Sequence, residues 1–418
     1  MTGPEKVLLV GSYRGRRERG QALESIEELG LLAATAGGEV VADVLQERRG
    51  VDPATYVGKG KAEEIGGICR ARGIDLVVFD DDLSPAQARN LEKLTEVRVV
   101  DRSQLILDIF ALGARTSVAK AQVELAQLEY TLPRLTGMWE HLSRTGGGIG
   151  TRGPGETQLE VDRRRIRRRI FTLKRALTKV EQDRIVRASR RKGITKASLV
   201  GYTNSGKSTL FNHLTRAGVP TGDKLFKTLD TTTRLLHLPG KESMLLSDTV
   251  GFIRKLPHHL VVSFHATLEC VIEADVIVHV VDIARPTWEH QIETVRNVLE
   301  EIGAGGKQEV LVFNKVDLVR DQADLRGALR SYEDAVAASA LRGRGIDELQ
   351  ERLFALAVRD KREVVVTVPE GDGKMLGYVQ RYGTVLGSEA SGGALRLRVR
   401  IAEAYLKPLE PHLEREAR

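Results

Sequence analysis

At 418 residues the chain is too long for one hydrophobic core and is read as multidomain. Its 41% apolar and 29% charged residues are ordinary globular values, and no run approaches the ~18 uninterrupted apolar residues of a membrane helix, which argues against a membrane-spanning protein. The net charge of +7 is unevenly spread: Glu156 to Lys196 holds fifteen Lys and Arg against five Asp and Glu, a local excess of +10 that leaves −3 for the remainder. One element therefore carries the positive charge. The opening MTGPEKVLLVGSYRGRRERG lacks the apolar core and cleavage site of a signal peptide, and Cys69 and Cys270 have no CxxC spacing. A reducing, cytoplasmic setting is expected, with peripheral membrane association left open.

Residues 1–113 alternate short apolar runs (KVLLVG, EVVADVLQ, IDLVVFD, VRVVD) with helical patterns, which predicts a parallel α/β domain. Asp80, Asp81 and Asp82 resemble a metal cluster; as a strand end leading to the helix cap Ser84 they are read as a solvated loop. GKGK at Gly58 to Lys61 opens a helical pattern, where surface lysines are the preferred reading over an anion site. Over 114–195, Val118, Ala121, Leu125, Leu128 and Leu132 step by three and four, and so do Ile166, Ile170, Leu173, Leu177 and Val180. This is the seam of a helical coiled-coil hairpin, ended on one side by Pro133 and joined by the glycine-rich loop Thr145 to Gly155, which reads equally as a disordered linker or as a loop that orders on RNA with Arg144 (just before it) and Arg152 as phosphate contacts. The run DRRRIRRR from Asp162, with Lys174, Arg175, Arg190, Arg191 and Lys192, predicts binding to the phosphates of structured RNA. A solvated helix face is the plainer alternative, and the concentration of charge in an otherwise slightly acidic chain weighs against it. A βα series over 196–360 forms the nucleotide domain, and 361–418 reads as a small α+β domain, with strands REVVVTV and ALRLRVRI around a helical GKMLGYVQRY.

The nucleotide domain carries the chemistry. Gly201, Tyr202, Thr203, Asn204, Ser205, Gly206, Lys207 and Ser208 match the phosphate loop GxxxxGK[ST] between a strand and a helix. Glycines let backbone N–H groups close around phosphate oxygens, Lys207 supplies charge to the β and γ phosphates, and the Ser208 hydroxyl reaches Mg²⁺. Asp248, Thr249, Val250 and Gly251 form DxxG, in which Asp248 would hold the metal through water and the Gly251 N–H would approach the γ phosphate. Asn314, Lys315, Val316 and Asp317 form NKxD, whose carboxylate can accept two hydrogen bonds from guanine that adenine cannot donate; GTP is the expected substrate. Ser339, Ala340 and Leu341 supply a loop to brace the base. Within LFKTLDTTTR, Thr228 is the chosen switch threonine; Thr231, Thr232 and Thr233 compete on generic grounds, with a plainer reading as strand formers. Lys207, Thr228 and Gly251 are the residues expected to act on the γ phosphate. Phe252 stands where Ras-type enzymes carry the water-orienting glutamine, so slow intrinsic hydrolysis is expected unless a partner or another side chain positions water. His258 and His259 are assigned no role.

Taken together, GYTNSGKSTLFN, LFKTLDTTTR, DTVGFIRKLPHHL, NKVD and, upstream, YVGKGKAEEI, DDDLSPAQARNLE, RTSVAKAQVELAQLEY and GGGIGTRGPGETQLEVDRRRIRRRI resemble the HflX family of ribosome-associated GTPases over nearly the whole chain. The resemblance implies a multidomain α/β protein with an N-terminal α/β domain, a hairpin, a Ras-like G domain and a small C-terminal domain. It implies nucleotide contacts at Gly201 to Ser208, at Phe226, Lys227, Thr228, Leu229 and Asp230, at Asp248 to Gly251, at Asn314 to Asp317 and at Ser339 to Leu341, with Mg²⁺ ligands Ser208 and Thr228. Where members often read ATLDPTTR, Lys227 and Thr231 are departures. The resemblance also implies binding to the large ribosomal subunit and its rRNA, with the hairpin loop near the peptidyl transferase region, and splitting or rescue of stalled ribosomes. Neither DNA nor stable membrane insertion is expected, and the protein is read as a monomer. The alternatives are a signalling GTPase acting at a protein or membrane surface, and an RNA-binding protein with a vestigial nucleotide site. A narrow heptad seam argues against the first, and intact Lys207, Ser208, Asp248 and Asp317 against the second.

Overall fold

The computed structural model describes residues 3–137, 154–188, 194–219, 222, 225–226, 231–255, 265–319, 321–332 and 334–414. Packing divides the chain into two units. One comprises Met1–Glu181, Gly222–Asp230 and Ile253–His265; the other comprises Gln182–Thr221, Thr231–Phe252 and Ala266–Arg418.

The first unit is built on a parallel sheet of β1 (Lys6–Tyr13), β2 (Glu39–Glu47), β3 (Leu76–Phe79) and β4 (Arg98–Asp101), in the order β2-β1-β3-β4. Each of the four expected apolar runs is one of these strands. β1 and β3 are buried on both faces, as central strands of a parallel sheet must be when helices cover both sides. The helices are α1 (Gly15–Ala36), α2 (Lys59–Arg72), α3 (Pro85–Thr95) and α4 (Arg102–Gly113). Ser84 starts α3 with a reciprocal capping box, accepting from the Gln87 N–H while the Gln87 side chain accepts from its own. Lys59 and Lys61 pair with Glu63 and Glu64 on the surface of α2, the bland reading of GKGK.

One expectation fails here. Asp80 is 3% exposed rather than solvated. It accepts from Arg102 Nη1 at 2.6 Å and from Ser25 Oγ at 2.7 Å, and Arg102 is itself buried and paired with Glu28. A strand-end carboxylate of this kind stays inside because a buried guanidinium compensates it, and that partner lies twenty-two residues away in sequence.

α5 (Ser117–Thr131) and α6 (Pro154–Ala188) follow. α5 buries Ala119, Gln122, Val123, Leu125, Ala126 and Tyr130, a face set by packing on α4, so Val118, Ala121 and Leu128 of the anticipated seam are only half-buried. Ion pairs from Arg169 to Glu124 and from Lys174 to Glu129 join α5 to α6. The glycine-rich loop over 145–153, with Arg144 and Arg152, and the basic residues Arg190, Arg191 and Lys192 lie outside the described residues.

The second unit holds a six-stranded sheet, β10-β9-β8-β5-β7-β6, made of β5 (Thr195–Gly201), β6 (Thr232–His237), β7 (Ser243–Asp248), β8 (Val276–Asp282), β9 (Gln308–Asn314) and β10 (Val336–Ala337). All strands are parallel except the edge strand β6, which pairs antiparallel with β7. The helices are α7 (Lys207–Thr215), α8 (His265–Ile272, which begins in the first unit), α9 (Trp288–Glu301), α10 (Gln322–Ser331) and α11 (Ile346–Val358). Leu199, Leu210, Phe211, Val278, Val312, Leu349 and Leu353 pack in its core. A three-stranded antiparallel sheet follows, β11 (Lys361–Pro369), β13 (Ala394–Ala402) and β12 (Gly383–Ser391), against α12 (Gly373–Tyr382). β12 is absent from the sequence reading because GTVLGSEAS lacks the apolar alternation of its neighbours. Among the described residues no helix is long and apolar enough to cross a membrane, and both cysteines are buried thiols not joined in a disulfide.

Candidate active site

Four parallel strands of the second unit, β5, β7, β8 and β9, end in Gly201, Asp248, Asp282 and Asn314, which brings the motif residues to the C-terminal edge of one sheet. Open α/β sheets bind ligands at this edge. Residues 202–206 turn from β5 into α7, with Asn204 at φ 60° and Gly206 at φ 95°. No side chain caps α7, and a helix N-terminus of this kind suits an anion. A Cβ on Gly206 would lie 2.2 Å from Asn314 Nδ2, which donates to the Ser205 carbonyl at 2.8 Å, while Asn314 Oδ1 accepts from the Ala340 N–H at 2.9 Å. One asparagine thus ties the phosphate loop, the NKxD segment and the Ser339–Leu341 loop together.

Lys207 is 6% exposed, its ammonium donating to the Gly201 and Tyr202 carbonyls at 3.1 and 2.7 Å. Burial pulls its pKa down to about 8, opposed by the charge of Asp248 and aided by Lys315. Ser208 Oγ donates to Asp248 Oδ2 at 2.7 Å. Asp248 is fully buried and burial raises its pKa, opposed by Ser208 and Lys207. Its Oδ1, the Thr203 hydroxyl and the Ser205 hydroxyl are buried without a hydrogen-bond partner. A buried ammonium, a buried carboxylate bonded to a hydroxyl, and three unmet polar atoms around one loop suit a polyphosphate and a divalent cation, whose charges satisfy all of them. The residues present therefore fit magnesium.

Gly251 is close-packed: a Cβ there would fall 2.8 Å from Thr203 Cα and 2.9 Å from Lys207 Nζ. Thr249 donates its hydroxyl to the Leu199 carbonyl at 2.6 Å, and Val250 is buried. Phe252, 2% exposed, extends this pairing, its N–H bonding Gly201 O at 3.0 Å and its carbonyl accepting from the Thr203 N–H at 2.7 Å. A buried phenyl offers no hydrogen bond to a nucleophilic water.

Lys315 adopts φ 65° and donates to Asp282 Oδ2 at 2.8 Å; Val316 and Asp317 lie in the short 3₁₀ turn that follows, and Ser339 Oγ hydrogen-bonds Asp317 Oδ1. Leu341 is exposed. Asp282 is marked in the sequence only as an acid ending the buried strand that begins VIVHVV. Phe226 is buried within the first unit. Lys227, Thr228, Leu229 and Asp230, and His258 and His259, lie outside the described residues; Thr231 is described, and Thr232 and Thr233 open β6, in keeping with the reading of these two as strand formers.

A phosphate loop, DxxG and NKxD converging on one sheet edge define a GTPase of the P-loop class. Family descriptions match in succession: GTP-binding GTPase N-terminal at residues 23–111, GTP-binding GTPase Middle Region at 113–191 and 50S ribosome-binding GTPase at 196–315. The chain is 43% identical to GTPase HflX of Magnetococcus marinus over 99% of its own length and 96% of the relative's. It is 46% identical to GTPase HflX of Lacrimispora saccharolytica, covering 92% of this chain and 90% of that one. Among solved structures, a GTP-binding protein from Sulfolobus solfataricus in complex with GDP aligns with TM-score 0.45 and 25% identity, over 85% of this chain and 99% of that one. The chain belongs to the HflX family of GTPases.

The depressed pKa of Lys207 has a consequence for binding. Its folded value of about 8 lies below the usual 10.5, so burying the charge costs stability at neutral pH, and the cost is relieved as pH rises from about 8 to 10.5. A bound phosphate favours the ammonium and so couples binding to protonation. GDP affinity should weaken as pH rises above about 8, with proton uptake at pH ~8.5 visible as a calorimetric enthalpy that depends on the buffer's ionisation heat. A pH-independent affinity from 7 to 9 would contradict this reading.

Proposed function

We propose that this GTPase is Mg²⁺-dependent and ribosome-associated, binding the large subunit through rRNA and using GTP to remodel or split stalled ribosomes. The observation that carries the RNA part is the outer face of α6, where Arg164, Arg165, Arg167, Arg168 and Arg175 are all exposed while Leu173 faces inward. In this stretch Arg169 and Lys174 pair with acidic partners on α5, and Arg165 pairs with Asp162 one turn away. A row of exposed guanidinium groups on one helix suits a phosphate backbone. The description 50S ribosome-binding GTPase for the family matched at 196–315 supports the same partner.

In this reading Lys207 would neutralise the β and γ phosphates, Ser208, the switch threonine Thr228 and Asp248 would hold magnesium, and the Gly251 N–H would sense the γ phosphate. The metal supplies charge neutralisation at the phosphates. Asp317 reads guanine, with Asn314, Lys315, Val316 and Ser339 to Leu341 bracing the base. Phe226 and Lys227 to Asp230 complete the nucleotide contacts. Ordering of the switch segments by GTP favours the ribosome-bound state, and hydrolysis releases the protein.

Two outcomes are expected. Purified protein should sediment with isolated large subunits in the presence of a non-hydrolysable GTP analogue more than with GDP, with binding weakened steeply by added salt and its analogue dependence lost in Lys207→Ala. Equal or absent binding in all states would reject the ribosomal role. Asp317→Asn should lose GTP affinity and gain xanthosine triphosphate affinity, since an amide can donate to the xanthine carbonyl where the carboxylate accepts from the guanine amino group. Unchanged competition between the two nucleotides would reject Asp317 as the base reader.

A further inference from the structure

The sole aromatic residue between Glu160 and Val180 is Phe171 of α6, and it is 63% exposed. The positions three and four residues to either side of it, its neighbours on the helix surface, are Arg167, Arg168, Lys174 and Arg175, all basic and all exposed. Arg164 lies on the same face two turns back, while Leu173, about 160° round the axis, is 5% exposed and faces inward. The Arg175 guanidinium carbon stands 5.8 Å from the Phe171 ring centroid, which sets a cation beside the ring.

A single apolar residue at a surface needs no account of its own, so the surroundings decide. The other exposed apolar residues of α6 do not extend Phe171 into a stripe. Val161 lies about 15 Å along the axis and about 80° round it, and Val180 lies on the opposite side. A membrane-surface helix needs a broad apolar face, and a partner helix needs apolar residues at three- and four-residue steps; here those steps are occupied by cations. A lone ring among guanidinium groups has instead the chemistry of a surface for single-stranded nucleic acid, in which cations take the phosphates and the ring offers a π face to a base. A base stacked inside a duplex has no free face to offer in return.

We propose that Phe171 is a stacking platform for an unpaired RNA base, in a bulge, loop or single strand, with Arg167, Arg168 and Arg175 on the flanking phosphates. α6 then distinguishes unpaired from paired RNA, a selectivity that charge alone does not provide. The inference rests on the RNA-binding reading of α6 and adds the form of RNA that it takes.

The test is binding of the full chain, with GDP and Mg²⁺ at fixed salt, to two fluorescent RNA hairpins that differ only by a bulge of unpaired adenosines. Co-sedimentation with vesicles of phosphatidylcholine and phosphatidylglycerol runs beside it, and thermal unfolding checks that each variant folds. Wild type should bind the bulged hairpin more tightly than the paired one. Phe171→Ala should weaken binding to the bulged hairpin by about 5-fold or more, the loss of one base–aromatic stack, and leave the paired hairpin's affinity and salt slope unchanged. Phe171→Tyr, which keeps the ring, should keep the preference. Equal affinity of wild type for the two hairpins, or a preference that survives in folded Phe171→Ala, would overturn the stack. A vesicle affinity that falls in Phe171→Ala while both RNA affinities hold would overturn it in favour of a lipid surface. Absent or salt-insensitive binding of wild type to both hairpins would instead overturn the RNA-binding reading beneath it.

Discussion

The nucleotide site depends on charge held out of water. Lys207 and Asp248 are placed at the C-terminal edge of a parallel sheet with no solvent to stabilise either, and their mutual attraction is incomplete: the ammonium bonds carbonyls, and the carboxylate bonds one hydroxyl and leaves an oxygen unmet. Such an arrangement costs the empty protein stability and is compensated when phosphate and metal enter. Preorganised charge of this kind is what a phosphoryl-transfer site needs, because the groups are in place before charge develops.

The remaining architecture keeps these charges in register. Strands β5, β7, β8 and β9 end together, so motifs separated by more than a hundred residues converge without long side-chain reach. Asn314 fixes the base-reading segment to the phosphate loop through Ser205 and to the following loop through Ala340, which couples recognition of guanine to the geometry of the phosphates. Asp282 orients Lys315 from the neighbouring strand. In the first unit, a buried ion pair between Asp80 and Arg102, with Ser25 donating to the same carboxylate, fixes the end of β3, where Lys255 adds a half-exposed cation.

Much of this was legible in the sequence, for identifiable reasons. The phosphate loop, DxxG and NKxD are short and contiguous, and each follows an apolar strand whose length and pattern announce it. The parallel strands of the first unit are equally plain, because burial on both faces leaves unbroken apolar runs such as LVVF. Pairings between distant residues were not legible. Asp80 reads as one of three consecutive acids, and nothing local marks Arg102 or Lys255 as its partners. The same holds for Asp282 with Lys315. The heptad steps of α5 were visible, yet its buried face is turned toward α4 by tertiary packing that periodicity alone does not specify. β12 escaped because its stability comes from pairing with β13 rather than from its own residues.

The central claim, that a buried, under-compensated charge at Lys207 is kept for nucleotide at the expense of the empty fold, is tested most directly by thermal unfolding of wild type and Lys207→Met, each with and without GDP and Mg²⁺. Methionine has a similar length and no charge to desolvate. The account predicts a variant more stable than wild type when empty, by about 1 to 4 kcal/mol, that no longer gains stability from nucleotide. A variant that is less stable when empty and still stabilised by GDP would contradict it.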